Sequence, residues 1–286
     1  MSSRRYTFAP LMAMHYSPPQ LMQLAAQAGV WGVGLRLLPT VPGALHYPLM
    51  NEPGALRETL AAMRDLGIAV FDLELVRLND AFRAGDHLAL LEVGQRLGAQ
   101  VVNVIGDDPD PSRLVASYAT LCDAAAPFGL SCDIEPMPWS AVPDVAAAHR
   151  MVEAIDRPNV GVLVDSLHFA RSASTLADVE ALPREWIHYG QISDGRLPGP
   201  ATREGLIHDA RCERLLPGEG DIDLIALFAR LPADVPISIE VPNDSRAPAM
   251  GYEAWARAAA AATRAVIEGP DRAQAPSPAR SAPARG

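Results

Sequence analysis

The sequence predicts an α/β protein: a (β/α)8 TIM barrel forming a single domain over residues 1–269, followed by a disordered tail over 270–286. Three observations predict it. Eight short β-type runs follow one another, each trailed by a helical pattern, and eight such pairs in roughly 260 residues have the size and rhythm of a barrel. The runs are mostly continuous apolar stretches, as expected for a parallel sheet covered on both faces. No G-x-G-x-x-G follows any run, which disfavours a doubly wound sheet.

The first run, YTFAPLM (6–12), leads to PPQLMQLAAQAG, where Pro19 suits a helix start and Gly29 its end. WGVGLRL (31–37) is followed, after a Pro/Gly-rich loop, by the helical PGALRETLAAMRDLG (53–67). IAVFDLEL (68–75) precedes HLALLEVGQRLG (87–98), and QVVNVIG (100–106) precedes a helix from Pro111 to Phe128. LSCDIEP (130–136) leads through PMPWSAVP to a helix near 144–155. VGVLVDS precedes HFARSASTLADVEAL, read as helical, and WIHYGQIS precedes a long loop ending in LPGEGD. A helix near 222–231, the strand PISIEVP and an alanine-rich helix at about 250–268 complete the series. Several helices end at a Gly leading into the next strand, as in RDLGIAV, QRLGAQVV and PFGLSCD. From 270 the chain is Pro/Ala/Arg/Ser-rich with almost nothing to bury, hence the expected disorder.

Of the 286 residues 49% are hydrophobic, enough for one large domain, yet no apolar run reaches the roughly 18–20 residues of a membrane span. With no signal peptide legible at the N-terminus, the expectation is a soluble, cytoplasmic protein without membrane partners. The net charge of −10 disfavours nucleic acid as a partner, because that affinity rests on basic side chains releasing counterions. All 24 basic residues are arginine, so Schiff-base catalysis by a lysine amine is excluded. Cys122, Cys132 and Cys212 are scattered, with neither zinc-knuckle nor disulfide spacing.

Four of the runs end on polar residues: Glu135 before Pro136, Asp165 before Ser166, Gln191 in HYGQISD, and Glu240 just before its proline. In a barrel the C-terminal ends of all strands meet at one face, so these four fall on consecutive strands around half of a rim. Burying an unpaired carboxylate costs on the order of several kcal/mol, so such a cluster calls for a compensating charge. Hard oxygen donors favour Mg²⁺ or Mn²⁺ over Zn²⁺, with Co²⁺ also compatible. Taken singly, each residue also has a plainer reading: an exposed strand-end acid for Glu135 and Glu240, a helix N-cap for Asp165, a surface amide for Gln191.

These residues, with the segments DIE (133–135), DSLH (165–168), QISD (191–194), RLLPGEGD (214–221) and Ile239-Glu240, resemble the xylose-isomerase-like barrel superfamily. This is also called the sugar phosphate isomerase/epimerase or AP endonuclease family 2 group, and the resemblance covers about 5–269. It implies metal ligation by Glu135, Asp165, Gln191 and Glu240, and a substrate-binding role for Arg214. Where Gln stands in place of the third ligand His, the pattern is similar to 3-dehydroshikimate dehydratases. The implied activity is a metal-dependent isomerase or epimerase of a sugar, sugar phosphate or related polyhydroxy ketone, working through a metal-stabilised enediolate. Glu135 and Glu240 would then serve as acid and base on opposite faces. The alternative is a dehydratase of a cyclic polyhydroxy ketone such as 3-dehydroshikimate or an inosose, with His168 as base or acid. The group's DNA-repair endonucleases use a multi-zinc cluster with extra histidines that these strand ends lack.

Glu74 and Arg77, in DLELVRL after the third strand, reach the same rim, and Arg77 suits an anionic substrate group. Asp72 and Glu74 alternate and so point the same way, as a polar rim would. Trp139 either covers the substrate or packs beneath its loop. His15, His46, His87, His149, His188 and His208 show no ligand spacing, although His15 and His208 lie in stretches that could border the site. The partner expected is a small polyhydroxylated molecule, and self-association is compatible with the sequence.

Overall fold

In a computed structural model of the chain, which describes residues 4–269, eight parallel strands close into a barrel. The strands are β1 (Tyr6–Phe8), β2 (Gly32–Arg36), β3 (Ala69–Leu78), β4 (Val101–Gly106), β5 (Ser131–Ile134), β6 (Val160–Asp165), β7 (Tyr189–Ile192) and β8 (Ile237–Ile239). Each pairs with its sequence neighbour, and β1 closes on β8 with Thr7 opposite Ser238. The expected barrel is therefore the observed one. The expected tail, 270–286, lies outside the described residues.

The outer ring begins with α1 (Pro18–Gln27), α2 (Pro53–Leu66), α3 (Leu88–Leu97), α4 (Pro111–Ala125) and α5 (Val145–Ile155). After β6 come α6 (Ser166–Arg171) and α7 (Leu176–Glu180), and α8 (Arg203–Cys212) and α9 (Leu224–Phe228) lie between β7 and β8. α10 (Arg246–Met250) and α11 (Tyr252–Glu268) finish the fold. Gly67, Gly98 and Gly129 stand at φ of +66, +69 and +71°, a left-handed turn only glycine adopts cheaply. Each turns the chain from helix to strand.

Four boundaries differ from the sequence expectation. HFARSASTLADVEAL is two helices, because Thr175 caps α7 afresh by accepting from Asp178 N while the Asp178 carboxylate accepts from Thr175 N. The long loop after β7 contains α8, capped by the Thr202 hydroxyl, which accepts from Gly205 N. β3 runs on to Leu78, so Arg77 lies within the strand and not beyond it. The first strand stops at Phe8, and Pro10–Met12 forms a turn of 3₁₀ helix.

The main apolar core packs between strands and helices, with Phe8, Leu21, Val33, Leu73 and Trp255 fully buried. Inside the barrel the layers differ. A floor of Phe71, Val101, Leu163 and Tyr189 closes the N-terminal end, and Phe71 meets Tyr189 edge-on at 5.3 Å. Above that floor the inward positions turn polar, because side chains alternate along a strand and residues two apart share a side. Among the described residues no helix is long and apolar enough to cross a membrane.

Candidate active site

Six of the eight strands each contribute a buried polar group to the mouth. Glu135 directly follows β5, its N–H extending the ladder by donating to the Val104 carbonyl at 3.0 Å, and Glu240 follows β8 in the same way, donating to Ile192 O at 3.1 Å. Asp165 ends β6 and lies in register with Gln191 of β7. Glu74 of β3 lies in register with Arg36 of β2. All six are buried.

The acids are compensated pairwise. Arg214, 2% exposed, donates from Nη1 to Asp165 Oδ2 at 2.7 Å and places Nη2 2.8 Å from Glu240 Oε2. Its remaining donors go to Ser193 Oγ at 3.1 Å and to the Ala210 carbonyl at 2.7 Å. Arg36 Nη2 donates to Glu74 Oε2 at 2.9 Å, and the Gln191 amide nitrogen donates to Glu74 Oε1 at 3.1 Å. Asn103 Nδ2 donates to Glu135 Oε2 at 2.8 Å, while His168 Nε2 stands 3.5 Å from Glu135 Oε1. Asp165 Oδ1 caps α6 by accepting from His168 N at 2.8 Å. That bond fixes the backbone of His168 in the first turn of α6.

Burial, the neighbouring Glu240 and Asp165 charges and, to a lesser degree, Glu74 push the Glu135 carboxyl well above the ordinary range, against the Asn103 hydrogen bond. Burial raises Glu240 to about 8 despite Arg214. Burial also pushes Asp165 up, but Arg214, His168 and their hydrogen bonds outweigh it and hold that group below the usual carboxylate range. Desolvation takes His168 down to about 4 against the pull of Asp165, so its ring is neutral near pH 7. Two carboxyls with raised proton affinity beside one held ionised is an arrangement suited to moving protons at carbon.

The oxygen and nitrogen donors of Glu135, Asp165 and His168 lie within 4.8 Å of one another. The Gln191 carbonyl oxygen is buried with no partner among the described residues. Each carboxylate oxygen has two lone pairs, so those already accepting one hydrogen bond can still ligate. These donors fit a hard divalent cation. Of the residues expected at the site, Glu135, Asp165, Glu240, His168 and Arg214 form one contact group, and Glu74 and Gln191 form another with Arg36, the two adjoining where Asp165 lies in register with Gln191.

Arg77 stands apart, half-buried and paired with Asp107. Asp72 is not a rim residue: it is fully buried in the barrel interior, opposite Gly34, whose missing Cβ leaves room for the carboxylate. Trp139 packs with Leu75, Ile105 and Met137 and presents its ring to His168 at 5.0 Å and 90°. His15 meets Tyr16 and Tyr252 edge-on, and His208 contacts Glu213. Two members of the set, Asn103 and Arg36, go unremarked in the sequence reading. Their signal is a polar residue inside an apolar run, VVNVIG and GVGLRLL.

Residues 22–266 match a family model described as a xylose isomerase-like TIM barrel. A 3-dehydroshikimate dehydratase of Pseudomonas aeruginosa is 26% identical over 242 residues, which cover 79% of this chain and 36% of that protein. An inosose isomerase of Bacillus licheniformis is 31% identical over 116 residues, covering 39% of this chain and 38% of that one. The chain thus spans little more than a third of the length of the curated relatives it matches. Among solved structures, the IOLI protein with a binding zinc atom has a TM-score of 0.75 at 19% identity, over 92% of this chain and 98% of that one.

Proposed function

Because the chain belongs to the xylose isomerase-like TIM barrel family, we propose that it is a divalent-metal-dependent isomerase or epimerase of a sugar, sugar phosphate or related polyhydroxy ketone. The observation that carries this reading is the meeting of Glu135, Asp165 and His168 donor atoms within 4.8 Å, with Gln191, in register with Asp165, keeping a buried oxygen that has no partner among the described residues. Glu135, Asp165, Gln191 and Glu240 would hold Mg²⁺ or Mn²⁺, with Co²⁺ also compatible. When bound, the cation supplies Lewis acidity towards the ketone and hydroxyl oxygens of a substrate.

The chain's own residues do the rest. Glu135, with its raised proton affinity, takes the proton α to the carbonyl. Glu240, with a pKa of about 8, returns a proton from the other side. Arg214 keeps Asp165 ionised and orients Glu240. Trp139, edge-on to His168, limits water on that flank.

A second reading, dehydration of a cyclic polyhydroxy ketone such as 3-dehydroshikimate or an inosose, is favoured by Gln191 at the third strand end. Matches to proteins named 3-dehydroshikimate dehydratase over 79% of the chain also favour it. Here the carbanion formed by Glu135 expels a β-hydroxyl, and His168 delivers the proton that leaves with it as water. One experiment separates the two. With Mn²⁺ in D₂O, ketoses, inososes and 3-dehydroshikimate are followed by NMR. Deuterium at carbon without loss of water supports isomerase chemistry, and a conjugated or aromatic product supports the lyase. Absence of both with every substrate refutes α-proton abstraction.

A further inference from the structure

The end of the barrel opposite the mouth holds a cavity that the chemistry above does not use. It has a volume of about 290 Å³ and lies where the strands begin, beside Val101 and Ser131 at the starts of β4 and β5. Phe71 and Val101, 1% and 2% exposed, give it an apolar inner wall, and Pro236 lines it too. Val101 stands two residues before Asn103, and Ser131 four before Glu135, so the barrel interior separates this cavity from the mouth. Its volume sits near the lower end of the range for small-molecule sites, about 300–1,000 Å³.

The rim is fixed by backbone bonds. Gln100 N donates to the Phe71 carbonyl at 2.8 Å, Ser131 N to the Gln100 carbonyl at 3.0 Å, and Ile237 N to the Arg5 carbonyl at 3.0 Å. The strand starts are thus held in place before any ligand arrives, as a preformed site requires.

Most charges at this rim are already matched. Asp234 lines the cavity but is paired with Arg184, and His188, which also lines it, meets buried Asp133 through Nδ1 at 2.6 Å. Arg4 donates to the Pro232 and Ala233 carbonyls at 2.7 and 3.2 Å. Arg5 is the exception. Its guanidinium lies over the Trp31 ring, 4.4 Å from the centroid, and among the described residues it has neither a hydrogen bond nor an acidic partner. Stacking occupies a face of the guanidinium and leaves the edge, which carries the N–H donors, for an oxyanion. Trp31 in turn meets Phe71 at 6.1 Å, which joins the unmatched cation to the aromatic wall. Gln100 adds a side-chain amide with no partner among the described residues.

We propose that this floor cavity is a second ligand site, built for a small carboxylate with a flat apolar body, such as an aromatic acid. The ring lies against Phe71, Val101 and Pro236, and the carboxylate accepts from Arg5 and Gln100. A bare inorganic anion would satisfy Arg5 but leave the apolar wall facing water. The site needs neither the metal nor the acids of the mouth.

The test is an NMR titration of the full chain in Mg²⁺, with Ile, Leu and Val methyls labelled, using benzoate and its neutral isostere benzamide. Benzoate should shift the methyls of Val101, Ile187 and Val235, which line the cavity, to saturation. Ile134 and Val241, next to Glu135 and Glu240, should stay unmoved. Benzamide should bind about tenfold more weakly, because it cannot make the charge-assisted hydrogen bonds. Arg5→Gln should weaken benzoate binding by a similar factor and leave benzamide unchanged. Shifts that do not saturate at the cavity methyls, or that appear only at the mouth, overturn the proposal. So does equal affinity for the two probes in wild type, a comparison that needs no variant, or an Arg5→Gln chain that keeps the preference for benzoate.

Discussion

Two layers of the same barrel interior, one pleat apart, treat buried acids in opposite ways. In the upper layer Glu74, Asp165 and Glu240 each meet an arginine, and Glu135 meets Asn103 and His168. Two residues earlier on the same strands stand Asp72, Asp133, Tyr189 and Ser238, all fully buried. There Asp72 has, among the described residues, no hydrogen-bond partner for either oxygen, and Asp133 meets His188 reaching in from the floor. Burial and the charges of Glu74, Glu240 and Asp133 push Asp72 far above the carboxylate range. Among the upper acids Arg214 and His168 hold Asp165 below the carboxylate range, while burial raises Glu74, Glu135 and Glu240 even beside their partners; Asp72 is raised with no partner among the described residues. Compensation, not burial, marks the layer where chemistry is done.

Removing the compensation gives the largest effect. Arg214→Leu leaves Asp165 and Glu240 buried without their shared cation, and breaking such a pair costs about 3–5 kcal/mol. Urea denaturation should show that loss, with turnover abolished. Added Mn²⁺ should then recover stability by a larger increment than in wild type, since it finds uncompensated carboxylates. Equal stability of variant and wild type would erase the distinction between the layers.

Glu135→Gln separates the two roles of an upper-layer acid. Loss of a positioned base lowers turnover by about 10²–10⁴-fold. Because burial and neighbouring carboxylates already disfavour the charged form, the amide should unfold no more easily than the acid. A variant that is markedly less stable, with turnover down only in proportion to the unfolded fraction, would make Glu135 structural.

The lower layer depends on glycine for room. A Cβ at Gly161 would lie 2.5 Å from His188 Nδ1 and 2.8 Å from the Trp186 carbonyl, so Gly161→Ala must displace backbone or evict the histidine. Overpacking of this kind costs about 1–3 kcal/mol. Thermal denaturation should show the drop, with Mn²⁺ affinity unaltered because the upper layer is untouched.

The barrel was legible because its signals are local. Apolar runs opened by Gly67, Gly98 and Gly129 mark helix-to-strand junctions, and Glu135 and Glu240 announce themselves as acids within two residues of a proline. α8 was not legible. RLPGPATREGLIHDARCER carries too few apolar residues for a stripe, and only the Thr202 cap betrays it. The contacts that complete the site are equally silent, because they cross the barrel: Gln191 reaches Glu74, 117 positions away, and Arg214 reaches Asp165, 49 away. No periodicity encodes such pairs. Asp72 misleads for a related reason: alternation gives its side of the strand, but not its depth.

The smallest effect reads the floor alone. Burial opposes protonation of His188, but the hydrogen bond and charge of Asp133, 2.6 Å away, outweigh it and raise the imidazole above its ordinary value of 6.5. A group that holds its proton more tightly folded than unfolded stabilises the fold fully below the unfolded value and loses that contribution as pH rises through the folded one. Wild-type stability should therefore fall as pH climbs from 6.5 upward, and His188→Gln should flatten that limb. Against a charged partner the difference is on the order of 1–3 kcal/mol at its acidic end. Since His188 touches only the lower layer, the pH dependence of turnover should stay as in wild type. If it shifts with the variant, the two layers exchange protons and cannot be treated as separate.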